Sequence, residues 1–397
     1  MGQQSWLSKA VSLLGLGHST RTKSYSNYDF VSLHQQGKAV WTPRNYRDLA
    51  EQAYQKNAVA FRCVRMIAEA AASIPIRVWE NGRKFDDHPL ETLLMRPNNL
   101  ESGRQFLEKV YGFLQISGNS YLEMIILADR VRELHVLRPD RIRVLVNAKG
   151  WPEAYEHNIN GTLTTYRKDP RSGIMPILHM AQFHPGNDHY GMSPVEAAAT
   201  AIDIHNAASD WNKALLDNGA RPSGALVYKG VDGVRNLNPD QIRRLKAELE
   251  ETYQGPGNAG RPMLLEGGLD WKPLSLTPAD LDFINAKNAA AREIALAFGV
   301  PPMLLGIPGD NTYSNYREAN LSFWRQTVIP LAEKTAEAMT NWLLPLYPHT
   351  RLQPDLEDIS QLSLERERRW SRISQAGFLT DDEKRRLLGL PETQNTN

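Results

Sequence analysis

Cysteine is almost missing from this chain. Cys63 is the only one in 397 residues, so no intrachain disulfide can form and no cysteine-based zinc site can be built. Long apolar runs are missing as well. None approaches the ~18 residues that a membrane-spanning helix needs. The start, Met1 to Gly17, holds one short apolar run from Ala10 to Leu16 with no small-residue cleavage pattern after it. Trp6 stands where a myristoylation motif wants serine or threonine. We therefore expect a cytoplasmic product without signal peptide, lipid anchor or membrane contact. An excess of charge is also lacking: 46 Lys and Arg against 45 Asp and Glu leave a formal net charge of +1. Proteins that coat nucleic acid usually carry a strong basic excess.

Catalytic signatures are scarce. There is no Walker A sequence. Gly255-x-Gly257-x-x-Gly260 fits the dinucleotide fingerprint as a string, but it follows a helical pattern, precedes a strand and contains Pro256. The fingerprint needs strand, turn and helix in that order, so that phosphate meets a helix N-terminus. His184, Asp188 and His189 sit in a Pro/Gly loop without helical spacing or a third ligand, and read as loop packing rather than a metal site. Asp355, Glu357 and Asp358 read as a solvated acidic turn. Ser120 and Ser193 lack the Gly-x-Ser-x-Gly elbow. Cys63 falls in an apolar helical stripe and reads as a buried small hydrophobe. We expect no catalytic residue, no metal and no cofactor.

What is present is a chain long enough for two or three domains, with an ordinary 41% hydrophobic and 23% charged content. Residues 1–40 read as a flexible arm, with a short helix from Trp6 to Leu14 as an option. Asn57 caps a helix that runs to Ser73 with Phe61, Val64, Ile67, Ala68 and Ala71 at helical spacing, and Pro75 ends it. Ile76 to Trp79 is a strand turned back at Asn81-Gly82. Ser102 and Gln105 form a capping box for a helix ending at Gly118. Residues 119–183 read as strands with turns at 147–150 and 160–161, so the first half is α+β with an antiparallel sheet.

Two long helices then bracket an insert. Ser193, Pro194 and Glu196 open the first, which stops at Asn218-Gly219 and is about 39 Å long as a continuous α-helix. Its alanines suit either close helix approach or plain propensity. The insert, residues 222–276, has strands at Ala225–Tyr228, Met263–Glu266 and Trp271–Leu274, and a helix opened by Asn238-Pro239. Thr277-Pro278 caps the return helix, which ends at Gly299 before Pro301-Pro302. The loop Gly306 to Tyr313 leads into a long helix to Leu344, kinked at Pro330. Residues 361–390 make a charged helical hairpin punctuated by Gly377. A rigid helix pair, a projecting insert and a short loop suit a subunit of a ring.

Phrases along this frame resemble, in order, those of the tailed-phage portal protein family of the long-tailed, non-contractile type. They include Asn57 to Glu69 before an Ile-Pro strand, His88-Pro-Leu90 with Arg96-Pro-Asn98, Gly118-Asn-Ser-Tyr121 and Gly191-Met-Ser-Pro194. Asn218 to Ser223, Asn258 to Pro262, Phe298-Gly-Val-Pro-Pro302 and Thr312-Tyr-Ser-Asn315 continue the series. The short chain also looks like portals of gene transfer agents.

The resemblance implies a portal fold: wing 41–192, stem helices 193–221 and 277–300, clip 222–276, tunnel loop 301–314, bracing helix 315–359 and crown 360–397. It implies a dodecameric ring at one vertex of a virion or phage-like particle, assembled in the bacterial cytoplasm and bound to the major capsid protein. Double-stranded DNA would pass through it, and the clip would dock the large terminase and then the head–tail adaptor. Near-neutral charge agrees with a conduit, because each phosphate neutralised adds counterion-release affinity that would impede sliding. Asn311, Thr312 and Tyr313 are the expected contact tip, with Asp310 setting its charge; the alternative is an ordinary helix connection. Arg243, Arg244 and Lys246 on the insert helix serve either partner docking or solvation. Competing functions are a head scaffold or adaptor without a DNA path, and a metal-dependent nuclease using the 355–358 acids.

Overall fold

A computed structural model describes residues 42, 45–81, 83–85, 87–128, 130–217, 224–228, 238–253, 269–273, 283–308, 313–357 and 359–388. The expected N-terminal arm, the strand at 263–266 and the cap at 277–278 lie outside them.

Helix α1 (Tyr46–Leu49) runs on through a π-helical turn, Ala50–Gln55, and the extended Asn57 separates it from α2 (Ala58–Ala72). Asn57 caps α2 as expected: its Oδ1 accepts the N–H groups of Val59 and Ala60 at 3.1 and 3.0 Å. The stripe of Cys63, Val64, Ile67, Ala68 and Ala71 is buried. Phe61 departs from it. Its ring lies toward solvent beside Tyr54, centroids 5.0 Å apart, with the Arg65 guanidinium over it. Against α2 packs α4 (Gly103–Ser117), which has the Ser102/Gln105 capping box and ends at Gly118 with φ 72°. Between them a short helix that the sequence did not announce, α3 (Pro89–Met95), is capped by His88, whose Nδ1 accepts the Leu90 N–H at 3.2 Å.

Strand β1 (Ile76–Glu80) folds back on β2 (Arg83–Lys84) through Asn81 at φ 49°. Its longer partner comes from the far end of the chain: β11 (Thr350–Pro354) pairs antiparallel with it from Ile76 against Pro354 to Glu80 against Thr350. The expected single antiparallel sheet is two. Strands β3 (Asn119–Leu127), β4 (Arg130–Leu137) and β8 (Ile177–Ala181) form one sheet in the order β4-β3-β8. The other contains β5 (Ile142–Val146), β6 (Pro152–Ile159) and β7 (Thr162–Arg167) in chain order. Asn160 and Gly161, at φ 51° and 90°, make the tight β6–β7 turn, a conformation that suits the twist of paired strands.

The expected long helix is interrupted. Ser193 Oγ accepts the Glu196 N–H at 2.9 Å and starts α5 (Pro194–Ala197), but Ala198 breaks the run before α6 (Ala199–Asp217). Only the serine half of the anticipated capping box forms. In the insert, β9 (Gly224–Tyr228) pairs with β10 (Leu269–Pro273), and α7 (Pro239–Tyr253) falls between them in the chain. Return helix α8 (Phe283–Ala297) packs along α6. One helical run then spans α9 (Tyr313–Phe323), a π-helical turn Trp324–Val328 and α10 (Ile329–Leu343). Pro330 has no N–H to donate and its ring crowds the carbonyl four residues back, and the wider π-helical turn lies just before it, at the place where the sequence expects a kink. A terminal hairpin, α11 (Ser363–Gln375) and α12 (Asp381–Leu387), agrees with expectation.

Distant phrases of the sequence meet in space. Gly118 and Gly191 lie back to back: a Cβ on Gly191 would come 2.2 Å from the Gly118 carbonyl oxygen. Asn119 stitches the contact. Its Oδ1 accepts the Gly191 N–H at 2.7 Å and its Nδ2 donates to the Gly191 carbonyl at 3.2 Å. Gly191→Ala should therefore cost about 1–3 kcal/mol of stability by forcing two backbones apart. Denaturant unfolding checks this; an unchanged midpoint would contradict it.

Candidate functional site

The short connection between α8 and α9 is built from its base upward. Helix α8 ends in a Schellman arrangement. The Val300 N–H reaches the Ala295 carbonyl at 2.9 Å and the Gly299 N–H reaches the Leu296 carbonyl at 3.0 Å, with Gly299 at φ 66°. Pro301 then prevents further helix, and a 3-10 turn, Pro302–Leu305, closes on Gly306 at φ 72°. Ile307 turns back into a small cluster with Ala291 and Ala295 of α8, capped by Val59 and Leu305. The Arg292 guanidinium donates to the Pro308 carbonyl. On the other flank Thr327, in the π-helical turn, donates its Oγ1–H to the Gly299 carbonyl at 2.7 Å. A Cβ on Gly299 would sit 2.8 Å from Thr327 Oγ1. The connection is thus gripped on both sides up to Pro308.

Asp310, Asn311 and Thr312 lie outside the described residues, and Tyr313 is described only as the first residue of α9. What the sequence missed is the grip itself: Arg292, Ile307 and Thr327. The phrase Phe298 to Pro302 was the available signal, because Gly followed by two prolines marks a fixed helix exit.

Arg243 and Arg244 are exposed on α7 and Lys246 is half-buried. Arg243 pairs with Asp240 in the first turn. Asn238 caps α7 reciprocally with Gln241, at 2.8 and 2.9 Å.

On the same side of the helix pair, where Val59 of the Ile307 cluster donates to Asn57, lies a buried polar node. Asn57 Nδ2 donates to Asn206 Oδ1 at 2.9 Å and meets His205 Nδ1 at 3.1 Å, while Asn206 Nδ2 donates to the Gln52 carbonyl at 2.9 Å. Nearby, Asp203 accepts from Thr42 through both the backbone N–H, at 2.9 Å, and the hydroxyl. Lys56 pairs with Asp210 at 2.8 Å. Helix α6 is therefore fastened by side chains from two of its turns to Thr42, Gln52, Lys56 and Asn57.

Of the expected solvated acids, Glu357 does keep 79% side-chain exposure, but Asp355 is not solvated. Asp355 keeps only 12% side-chain exposure and holds Arg77 at 3.4 Å and Lys84 at 3.3 Å. Burial alone would raise its carboxyl; the Glu357 N–H, Lys84 and Arg77 outweigh that and hold it below the usual carboxylate range. Its work is to fasten β1 and β2 to the segment after β11, which is why a charge that looked free in sequence is occupied. Glu357 reaches Arg366 at 3.3 Å, and Asp358 lies outside the described residues. Among the described residues no three His, Cys, Asp or Glu side chains stand close enough to hold a metal ion. His184 Nδ1 accepts the Gly186 N–H at 2.9 Å, in keeping with loop packing. Burial pushes the Cys63 thiol up to about 12, far from a nucleophile. No helix of the described residues is long and apolar enough to cross a membrane.

Three histidines are held neutral, and burial lowers the first of them, His157, from 6.5. His179 stacks on Tyr121 at 4.3 Å, and burial, with His189 nearby, depresses it to about 4. Burial and then Lys287 lower His205 from 6.5. The unfolded chain takes up these protons near 6.5 and the folded chain only at lower pH, so acid favours unfolding. Thermal stability should decline as pH falls from about 6.5 toward 4. A melting series across that window that shows no decline would contradict this.

Residues 58–389 match the sequence model of the family described as Phage portal protein, and the chain belongs to that family. A chain of the neck of a native gene transfer agent particle, computed with C12 symmetry, is 49% identical. It superposes at a TM-score of 0.69, covering 90% of this chain and 96% of that one. A Rickettsia bellii protein of uncharacterised function is 43% identical over 86% of this chain and 89% of its own length. The portal protein of Enterobacteria phage HK97 is 25% identical, over 83% of this chain and 78% of its own. The α+β architecture is thus a portal fold.

Proposed function

We propose that copies of this chain close into a ring, twelve in number, at one vertex of a phage or gene-transfer-agent particle. The likeness to a chain of a C12 particle neck over nine-tenths of this sequence carries the reading. In this reading 41–192 is the wing, α5, α6 and α8 the stem, 222–276 the clip, and the terminal hairpin the crown. The connection after Pro302 borders the hole. Double-stranded DNA enters during packaging and leaves during ejection. The clip docks the large terminase and then the head–tail adaptor, and the wing sits in the shell of major capsid protein.

The physical support lies at the base of the connection. A conduit needs a contact that is placed rigidly but grips weakly, because duplex presents one charge per ~1.7 Å of its axis and strong neutralisation would arrest it. Arg292 is turned onto the Pro308 carbonyl. Asn311, Thr312 and Tyr313 then offer neutral groups, and Asp310 a repelling one. The reading holds no catalytic role, and Asp355, the first acid of the nuclease alternative, is engaged by Arg77 and Lys84.

Replacing Thr312 and Tyr313 together with alanine should leave ring assembly intact and lower packaged or retained DNA at least tenfold. Quantifying nuclease-protected DNA per particle checks this. Full packaging by that variant would remove the loop from the mechanism.

A further inference from the structure

Strand β8 is paired on one side only. In the order β4-β3-β8 it is the last strand, and among the described residues none pairs with its outer side. The Met124 N–H bonds to the Pro176 carbonyl at 2.9 Å and the Gln182 N–H to the Gly118 carbonyl at 2.8 Å. The register between them, Leu122 against Leu178 and Ser120 against Met180, is unbroken. Backbone groups of successive residues in an antiparallel strand point to alternate sides. Leu178 and Met180 therefore bond to β3, and His179 and Ala181 turn their N–H and C=O outward. Near the start of the strand α10 closes in, with Trp342 Nε1 donating to the Met175 carbonyl at 2.8 Å. Toward Ala181 the edge is open.

This open end lines a cleft of about 720 Å³, within the size range of ligand sites. Residues 179–182 meet there the end of α8, the first turns of α10 and the last turn of α4. Gln115 of α4 keeps only 4% exposure, yet its amide has no hydrogen-bond partner among the described residues. Gln182 and Gln326 bring further side-chain amides that are likewise unengaged. Lys334 is exposed, lines the same cleft and makes no ion pair among the described residues. A buried amide without a partner costs free energy, and folded proteins seldom leave a sheet edge uncovered. An extended chain laid in the cleft answers both.

We propose that the cleft binds an extended, acid-bearing segment of a different protein, added as a strand to β8. The segment pairs its main chain with the outward N–H and C=O groups of His179 and Ala181, the mode by which sheet edges capture peptides. Gln115 and Gln182 bond to its remaining polar groups. One carboxylate of the segment meets Lys334, which fixes its position along the edge. A second copy of this chain that offered its own β8 would bring another Lys334 to a site that already carries one. The charge thus favours a foreign strand over self-pairing.

The test pans a displayed library of short random peptides against the full-length protein. Wild type should enrich proline-poor sequences that carry one aspartate or glutamate among β-branched residues. Lys334→Glu should bind those peptides about tenfold more weakly or worse, and should select lysine or arginine in place of the acid. Ala181→Pro removes only an outward N–H, which an edge strand tolerates. Its thermal unfolding should match wild type while its peptide affinity falls about tenfold or more. Failure to enrich any peptide, or selected peptides that bind all three proteins alike, would overturn the proposal. Assembled protein that refuses the peptides bound by its separated subunits would give the cleft to a neighbouring copy and overturn the foreign strand.

Discussion

A single buried amide fixes the geometry on which the rest depends. Asn57 satisfies the first N–H groups of α2 with its oxygen and spends its nitrogen on His205 and Asn206 of α6. Every member of the node is buried, so each bond replaces water that is not there. Removing one partner would leave several polar atoms unsatisfied at once, a larger effect than the loss of a helix cap alone. The node holds the start of α6 to the body of the protein, and α8 follows because it packs along α6. The connection after α8 inherits that position.

Function in this account comes from placement rather than from reactive groups. Several of the described ionisable residues are put to structural use. Asp355 joins two strands to the end of β11, Arg292 holds the Pro308 carbonyl, and His179 and His205 are kept neutral by burial. The connection is fixed at Gly299, Ile307 and Pro308 through contacts from α8 and from the π-helical turn. Under the proposed ring reading, a rigid base carrying a tip without positive charge suits a passage for a polyanion, because positive charge would hold the phosphates. The π-helical turn just before Pro330 contributes as well, since it contains the Thr327 that locks the helix exit.

Local signals were legible in the sequence wherever one short segment determines its own conformation. Asn57, Ser102 with Gln105, Asn160-Gly161 and the Gly299 exit all read correctly because caps and tight turns depend on neighbours in the chain. Pairings between distant segments did not read. Nothing near Ile76 announces that its partner is Pro354, and an acid such as Asp355 looks solvated until the strands that surround it are assembled. The break at Ala198 was hidden for a different reason: alanine favours helix so strongly that a run rich in it gives no sign of a stop. Phrase order along the chain reached further than propensity. Gly118-Asn119 and Gly191, read as separate phrases, turn out to be one contact.

The most direct test is electron cryomicroscopy of the purified full-length protein. The account predicts a closed ring of twelve subunits with an open axial hole and the segment after Pro302 at its narrowest rim. A solid or open assembly, or density that puts this segment on the outer edge, would contradict it.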